Sequence, residues 1–229
     1  MAAQIPRILH QTWKTEQIPP AMQAHAASWK QHHPDWEHRL WTDAMNRDFI
    51  RREVPGFLPV YDSYPHAIQR VDAARYFILR HHGGVFVDLD FECLRNIEPL
   101  LLDRQFVAGT EPEEHARTHG MAAIVSNAFM ASVPGHPLLQ RVCEQLPLDE
   151  VRHRQRDAGF SHVLHSTGPF MLTRACEAFG PAAGVAILPP ALLYPLVKEA
   201  DGRIGEAQLS STQHGQAYAR HHYWGSWWH

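Results

Sequence analysis

The sequence predicts an α/β fold with a largely parallel sheet, and three observations carry that expectation. Short apolar, strand-like segments alternate along the chain with segments of helical period. The clearest unit is a helix over residues 66–82 that stops at Gly83-Gly84 and runs at once into the apolar Val85-Phe86-Val87. Finally, 229 residues of which 45% are hydrophobic supply one sizeable core but not two ordinary large domains, so residues 1–229 read as a single domain.

The elements follow in order. Residues 4–13 (QIPRILHQTW) form a first strand, and Ile18-Pro19-Pro20 breaks the chain. Residues 21–32 have helical spacing, with Met22, Ala26 and Trp29 on one side and Pro34 beyond the end. A short aromatic strand follows at 36–41, then a helix capped by Thr42 or Asp43 and running to Ile50. Val54-Pro55-Gly56 is a break, and 57–64 is short and irregular. In the helix over 66–82, Ile68, Val71, Arg75 and Ile78 recur at helical intervals, and the strand at 85–87 ends on Asp88-Leu89-Asp90. Further on, 105–109 reads as a strand, 111–120 as a polar loop, and 121–131 as apolar but of ambiguous type. Residues 137–146 form a helix, 148–160 a charged and exposed stretch, and 167–179 a helix opened by Gly168-Pro169. Residues 185–188 are a strand. There is no repeat and no low-complexity tract.

Composition removes several function classes. With 21 basic against 24 acidic residues the formal net charge is -3, so no nucleic-acid partner is expected. Aromatic residues at 10%, including 7 Trp, exclude an acidic, aromatic-poor disordered chain. No apolar run approaches the roughly 20 residues of a membrane span; the most apolar tract, 184–197, is interrupted by Pro189, Pro190 and Pro195. Residues 1–11 hold one basic residue and no apolar core, so a secretory signal is not expected. Cys93, Cys143 and Cys176 are odd in number and lack a C-x-x-C, which reads as small core residues in a reducing compartment. The 18 His are the compositional oddity and are expected mostly on the surface.

Asp88-Leu89-Asp90 is the first place where chemistry could sit. In a strand or its exit, residues two apart point the same way, so both carboxylates face one side. Such a pair at a buried strand end is costly unless a cation holds it, and a divalent ion such as Mg²⁺ or Mn²⁺ suits the oxygen ligands. With 24 acidic residues, chance alone supplies about two acidic-x-acidic pairs, and Glu111-Pro112-Glu113 and Glu199-Ala200-Asp201 are others. Context separates the first from these: it leaves a short strand in an α/β chain, where ligands collect. The preceding helix also carries Asp72 and Arg75 three apart on one surface. They read either as a solvated ion pair or as an acid and a guanidinium facing one cleft. The second unusual place is 220–229, with three Trp and three His in ten residues. It reads as a hydrophobic plug or as a closing lid, and one of its adjacent His could join a carboxylate-bound metal.

Together these pieces resemble glycosyltransferase family 32, the DXD-motif group of sugar-nucleotide transferases that includes initiating mannosyltransferases and relatives of the clostridial glucosylating toxins. The pieces run in order: Ile5 to Trp13, Asp72-x-x-Arg75-Tyr76, Gly83-Gly84, Val85 to Asp90, Ser126-Asn127-Ala128-Phe129, Thr167-Gly168-Pro169 and His222 to Trp227. Phe86 stands where many relatives carry Tyr. The resemblance implies a GT-A fold with a Rossmann-like mixed sheet, and a metal-dependent, retaining transfer of a hexose from a nucleotide-diphosphate sugar. The acceptor it implies is a glycan or lipid-linked hydroxyl, as in polysaccharide biosynthesis. It implies Mn²⁺ or Mg²⁺ on Asp88 and Asp90, with His222 (or His221) as a further ligand, and the donor sugar on Asp72 and Arg75. By the same resemblance His10, Gln11 and Trp13 border the base, Asn127 and Gly168 lie near the sugar or acceptor, and Ser226 and Trp227 touch the diphosphate. The sequence shows no counterpart of the membrane anchor of Golgi members. A cytoplasmic enzyme, with peripheral contact at the inner face of a membrane left open, is therefore expected. The rivals are a metal-dependent phosphohydrolase and a non-catalytic carbohydrate-binding protein with its Trp residues as stacking platforms.

Overall fold

The computed structural model describes residues 4–154 and 159–225. The chain runs through strand β1 (Ile8–Thr12), helix α1 (Pro20–His32), β2 (Glu37–Trp41), α2 (Asp43–Glu53), a 3-10 turn at Pro55–Phe57, α3 (Leu58–Ser63), α4 (Ala67–His82) and β3 (Gly84–Val87). It continues with β4 (Phe91–Cys93), α5 (Glu98–Leu101), β5 (Phe106–Thr110), α6 (Glu113–Thr118), β6 (Val125–Ser132), α7 (Pro137–His153), α8 (Phe160–Ser166) and α9 (Pro169–Phe179). Then follow β7 (Val185–Leu188), α10 (Pro190–Leu193), β8 (Leu196–Lys198), β9 (Ile204–Glu206), α11 (Ser211–His214) and β10 (Ala219–His221).

Six strands form the central sheet in the order β2-β1-β3-β6-β5-β7. The β1–β2, β1–β3 and β5–β7 pairs are parallel, whereas β6 runs antiparallel to both neighbours. Side chains alternate across the sheet. Phe86 and Met130 join Tyr76, Ile78, Leu139 and Leu172 on one face, while Val85, Val87 and Phe129 join Trp29, Trp36 and Tyr194 on the other. All eight residues of β6 are buried. Covered on both faces, that strand needs no polar alternation, which is why 121–131 is ambiguous by pattern alone.

The double glycine is a steric requirement. Gly83 and Gly84 have φ of 66° and 91°, and a Cβ on Gly84 would lie 2.6 Å from the Ile8 carbonyl oxygen. Only glycine allows α4 to turn this tightly into β3 alongside β1. Other expectations change. The irregular 57–64 contains α3 with Tyr61 buried, and the loop at 111–120 contains α6. The exposed stretch at 148–160 begins as the last turns of α7, which continues through Pro147 and buries Asp149 and Glu150. Those carboxylates are satisfied, Asp149 by Arg152 and Arg174, Glu150 by His162 and Arg154. The histidines are less superficial than expected: His10, His33, His136, His162 and His221 are all buried. His33 is a connector, donating from Nδ1 to the Trp29 carbonyl at 3.1 Å and accepting the Ile97 N–H at Nε2 at 3.0 Å. Among the described residues no helix is long and apolar enough to cross a membrane.

The site depends on a small second ladder. Strand β10 pairs antiparallel with β4, setting His221 opposite Phe91 and Arg220 opposite Glu92. Helix α1 locks the other side of β4, with the Trp29 indole N–H donating to the Phe91 carbonyl at 2.8 Å. The end of the described chain thereby meets the exit of β3.

Candidate active site

Residues 88–90 turn sharply between β3 and β4. The Asp88 N–H donates to the Ala128 carbonyl at 2.9 Å, and the Phe91 N–H returns to the Asp88 carbonyl at 3.1 Å. Asp90 Oδ1 lies 3.2 Å from His221 Nε2, and its Oδ2 accepts the Trp224 N–H at 2.9 Å. To aim that N–H, Tyr223 adopts a left-handed backbone with φ 48°, a conformation costing on the order of 1–3 kcal/mol for a non-glycine residue. The His221 ring stacks on Phe91 at 4.8 Å and 9°. Burial would raise the Asp90 pKa, but His221 and the two hydrogen bonds overcome it and hold the carboxyl at about 2. Burial likewise opposes the charge on His221, and Asp90 wins, lifting that imidazole above its usual value.

Behind the turn stands a buried polar brace. Arg75 Nη2 bridges Asp72 Oδ1 at 3.2 Å and Asp88 Oδ1 at 3.1 Å, while Nη1 donates to the Asn127 carbonyl at 2.6 Å. Its guanidinium lies over the Phe86 ring at 4.9 Å. Asp72 also accepts from Asn127 Nδ2 and from Thr167 Oγ1, each at 3.0 Å. Burial pushes the Asp72 carboxyl up to about 7, despite the neighbouring guanidinium. Asp72 and Arg75 are almost completely buried, whereas 28% of the Asp88 side chain is exposed. Asp72 and Arg75 do pair, but inside the fold rather than in solvent, and the charged group next to them is Asp88. Thr167 and Tyr76, whose hydroxyl donates to the Thr167 carbonyl at 2.9 Å, complete the brace. Thr167 was visible beforehand only as part of Thr167-Gly168-Pro169.

The end of β1 borders the turn. Trp13 and Ile18 pack with Met22, Ala26 and Leu89, the residue between the two acids. Residues Glu16, Ile18, Pro19 and Gln23 line an adjoining cleft of about 640 Å³. Gln11 is buried and its Nε2 has no partner among the described residues. His10 departs from expectation. The Trp41 indole donates to its Nδ1 at 3.1 Å, so Nε2 carries the proton and donates to the Gly83 carbonyl at 3.0 Å. Both ring nitrogens are committed inside the fold, and burial lowers the pKa to about 4. His10 holds the glycine turn and has no atom left for a ligand.

Gly168 also answers to packing. A Cβ there would lie 3.0 Å from Leu164 Cα, so the glycine permits α9 to start against α8. Asn127 belongs to the brace. His222 is directed away from the carboxylate pair, with Nε2 3.0 Å from Glu92 Oε2. Neighbouring residues at a strand end point to opposite sides, so the β10 register gives His221, rather than His222, to the pair. Ser226 and Trp227 lie outside the described residues.

Asp88, Asp90 and His221 each offer a ligand atom within 4.8 Å of the others. Two carboxylates and one imidazole suit Mn²⁺ or Mg²⁺. The Nδ1 of His221 is buried without a protein partner among the described residues, and a cation at the pair would take the place of the proton that Asp90 otherwise favours on the ring. The residues present fit a divalent ion.

Comparison with known proteins agrees with this geometry. Residues 19–107 match the family described as glycosyltransferase sugar-binding region containing DXD motif. Inositol phosphoceramide mannosyltransferase 3 of Schizosaccharomyces pombe is 40% identical over 172 residues, covering 75% of this chain and 45% of that protein. Mannosyl phosphorylinositol ceramide synthase SUR1 of Saccharomyces cerevisiae is 39% identical over 171 residues, covering 74% and 41%. The chain thus spans about half the length of the curated relatives it matches. Among solved structures, the UDP-bound glycosyltransferase domain from the YGT toxin gives a TM-score of 0.56 at 9% identity, covering 93% of this chain and 88% of that one. PaToxG glycosyltransferase gives 0.53 at 14% identity, covering 76% and 69%. The fold is α/β, as the alternation of elements predicts, and GT-A, as the family resemblance implies.

Proposed function

The chain belongs to the glycosyltransferase family whose sugar-binding region contains the DXD motif, and on that premise we propose that it transfers a hexose from a nucleoside-diphosphate sugar to a hydroxyl of a glycan or lipid-linked acceptor. Mannose is the sugar we favour, because the two yeast relatives are named for mannosyl transfer. The observation that carries the reading is the convergence of Asp88, Asp90 and His221 at the exit of β3.

Asp88, Asp90 and His221 would hold Mn²⁺ or Mg²⁺, which would supply Lewis-acid stabilisation of the charge developing on the departing diphosphate. The protein's part is to keep Asp90 ionised and both acids of the pair aimed. Asp90 is held anionic by His221 and the Trp224 N–H. Arg75 fixes Asp88 from behind, and Asn127 and Thr167 fix Asp72, so the brace sets the position of the Asp88 carboxylate, 28% of whose side chain is exposed. Trp13 offers an apolar edge for the nucleobase beside Leu89. Ser226 and Trp227 are proposed to donate to the diphosphate, a contribution typically worth about 10²–10³ in rate per donor. We further propose retention at the anomeric carbon by front-side attack without a dedicated protein base, in a single domain working in a reducing compartment on the cytoplasmic side of a membrane. The three free thiols support that compartment.

A donor panel of UDP- and GDP-sugars with Mn²⁺, read by nucleotide release with and without sugar acceptors, tests the reading. Acceptor-stimulated release from a mannose donor, lost in Asp90→Asn, is the expected result. Release indifferent to every acceptor would mark a phosphohydrolase, and no turnover or nucleotide binding would mark a carbohydrate-binding protein; either overturns the proposal.

A further inference from the structure

A second cluster of different chemistry lies beside the carboxylate pair. His25 of α1, Glu92 of β4 and His222 just beyond β10 each bring a ligand atom within 4.8 Å of the others. The His25 and His222 rings stack with centroids 4.3 Å apart and planes at 25°. His222 Nε2 lies 3.0 Å from Glu92 Oε2, joining residues 130 apart in sequence. All three side chains are half-buried, so an ion from solvent can reach them. Tetrahedral zinc, with bonds of about 2.0–2.1 Å to imidazole and carboxylate, holds its ligand atoms on the order of 3.4 Å apart. The Glu92–His222 separation is already close to that, and the His25 ligand atom lies within 4.8 Å of both.

The chemistry of the cluster separates it from its neighbour. The carboxylate pair offers two oxygens and one nitrogen, whereas this cluster offers two nitrogens and one oxygen, a set that suits zinc-class ions better than Mn²⁺ or Mg²⁺. Arg220 Nε, 3.6 Å from Glu92 Oε2, is the one competing cation among the described ion pairs of Glu92, and that separation is longer than the 3.0 Å from Glu92 to His222.

We propose that His25, Glu92 and His222 form a second metal site, specific for a zinc-class ion, that clamps the segment following β10 onto α1. The clamp bears on the first site through the backbone. The His222 N–H donates to the Asp90 carbonyl at 2.9 Å, and the same short segment carries His221 and Trp224, both of which hold the Asp90 carboxylate. Zinc at the clamp is therefore structural, fixing the segment that shapes the carboxylate site.

The test uses the metal-free full chain, Zn²⁺ titrated by calorimetry and Co²⁺ by its visible absorption, both in millimolar Mg²⁺ so that the carboxylate pair is occupied. Wild type is expected to bind one equivalent of zinc and to unfold at higher temperature when loaded. His25→Ala and Glu92→Gln are expected to weaken zinc binding at least about tenfold and to lose the thermal shift, while Asp90→Asn retains both. Circular dichroism checks that the variants fold, and Glu92→Gln, nearly isosteric, serves if His25→Ala does not. Equal zinc titrations for wild type and both clamp variants overturn the proposal, as does loss of zinc binding in Asp90→Asn alone. Neither outcome depends on a sugar donor, so the clamp and the transferase reading fail separately.

Discussion

Two histidines, one on β1 and one on β10, show how one side chain serves opposite ends. His221 is driven toward its charged form by Asp90, and His10 toward its neutral form by burial between Trp41 and Gly83. His10 has a consequence for stability. Its pKa falls from the ordinary 6.5 to about 4 on folding, so below pH 6.5 the unfolded chain takes up a proton that the folded one refuses. The His10 contribution is complete above pH 6.5 and is lost as pH falls toward 4, reaching on the order of 3 kcal/mol below that. Urea unfolding of wild type and His10→Gln from pH 7.5 to pH 4 is expected to show a flatter acid dependence in the variant. Parallel curves would contradict the assignment. The same residue marks a limit of reading from sequence. Its place beside Gln11 and Trp13 suits a ligand wall, but the indole and carbonyl that consume its nitrogens come from residues 41 and 83.

At the scale of elements, the helix, double glycine, strand and acidic pair from 66 to 90 were legible because each is a local signal. Periodicity gives the buried face of α4, and two glycines give its stop. The steric argument is testable. Gly84→Ala forces a side chain at φ 91° to within 2.6 Å of the Ile8 carbonyl, and should cost more than about 2 kcal/mol by separating β3 from β1. Denaturant unfolding measures it, and a cost within about 0.5 kcal/mol, as for an ordinary surface substitution, would contradict the packing described. Short helices such as α3 and α6 were not legible, since a turn or two leaves too little period to read. Nor was the choice of His221 over His222, which the register of β10 on β4 decides across 130 residues of sequence. Thr167 escaped for the same reason: its role as a donor to Asp72 exists only once α4 and the α8–α9 junction meet.

Over the whole molecule, buried charge gathers where the sheet ends. Arg75 joins Asp72 to Asp88, His221 neutralises Asp90, and both groups close around one turn between β3 and β4. Isolated carboxylates in such surroundings would be costly; the Arg75 guanidinium and the His221 imidazole offset that cost at Asp88 and Asp90. The account rests on that turn gripping a diphosphate through a divalent ion. Calorimetric titration of wild type and Asp90→Asn with GDP and UDP, each with Mn²⁺ and with chelator, addresses it most directly. The account predicts that one diphosphate binds wild type only when Mn²⁺ is present, and that the asparagine variant, still folded by circular dichroism, loses that dependence. Equal affinities with and without the ion in wild type, or undiminished ion-dependent binding in the variant, would contradict it.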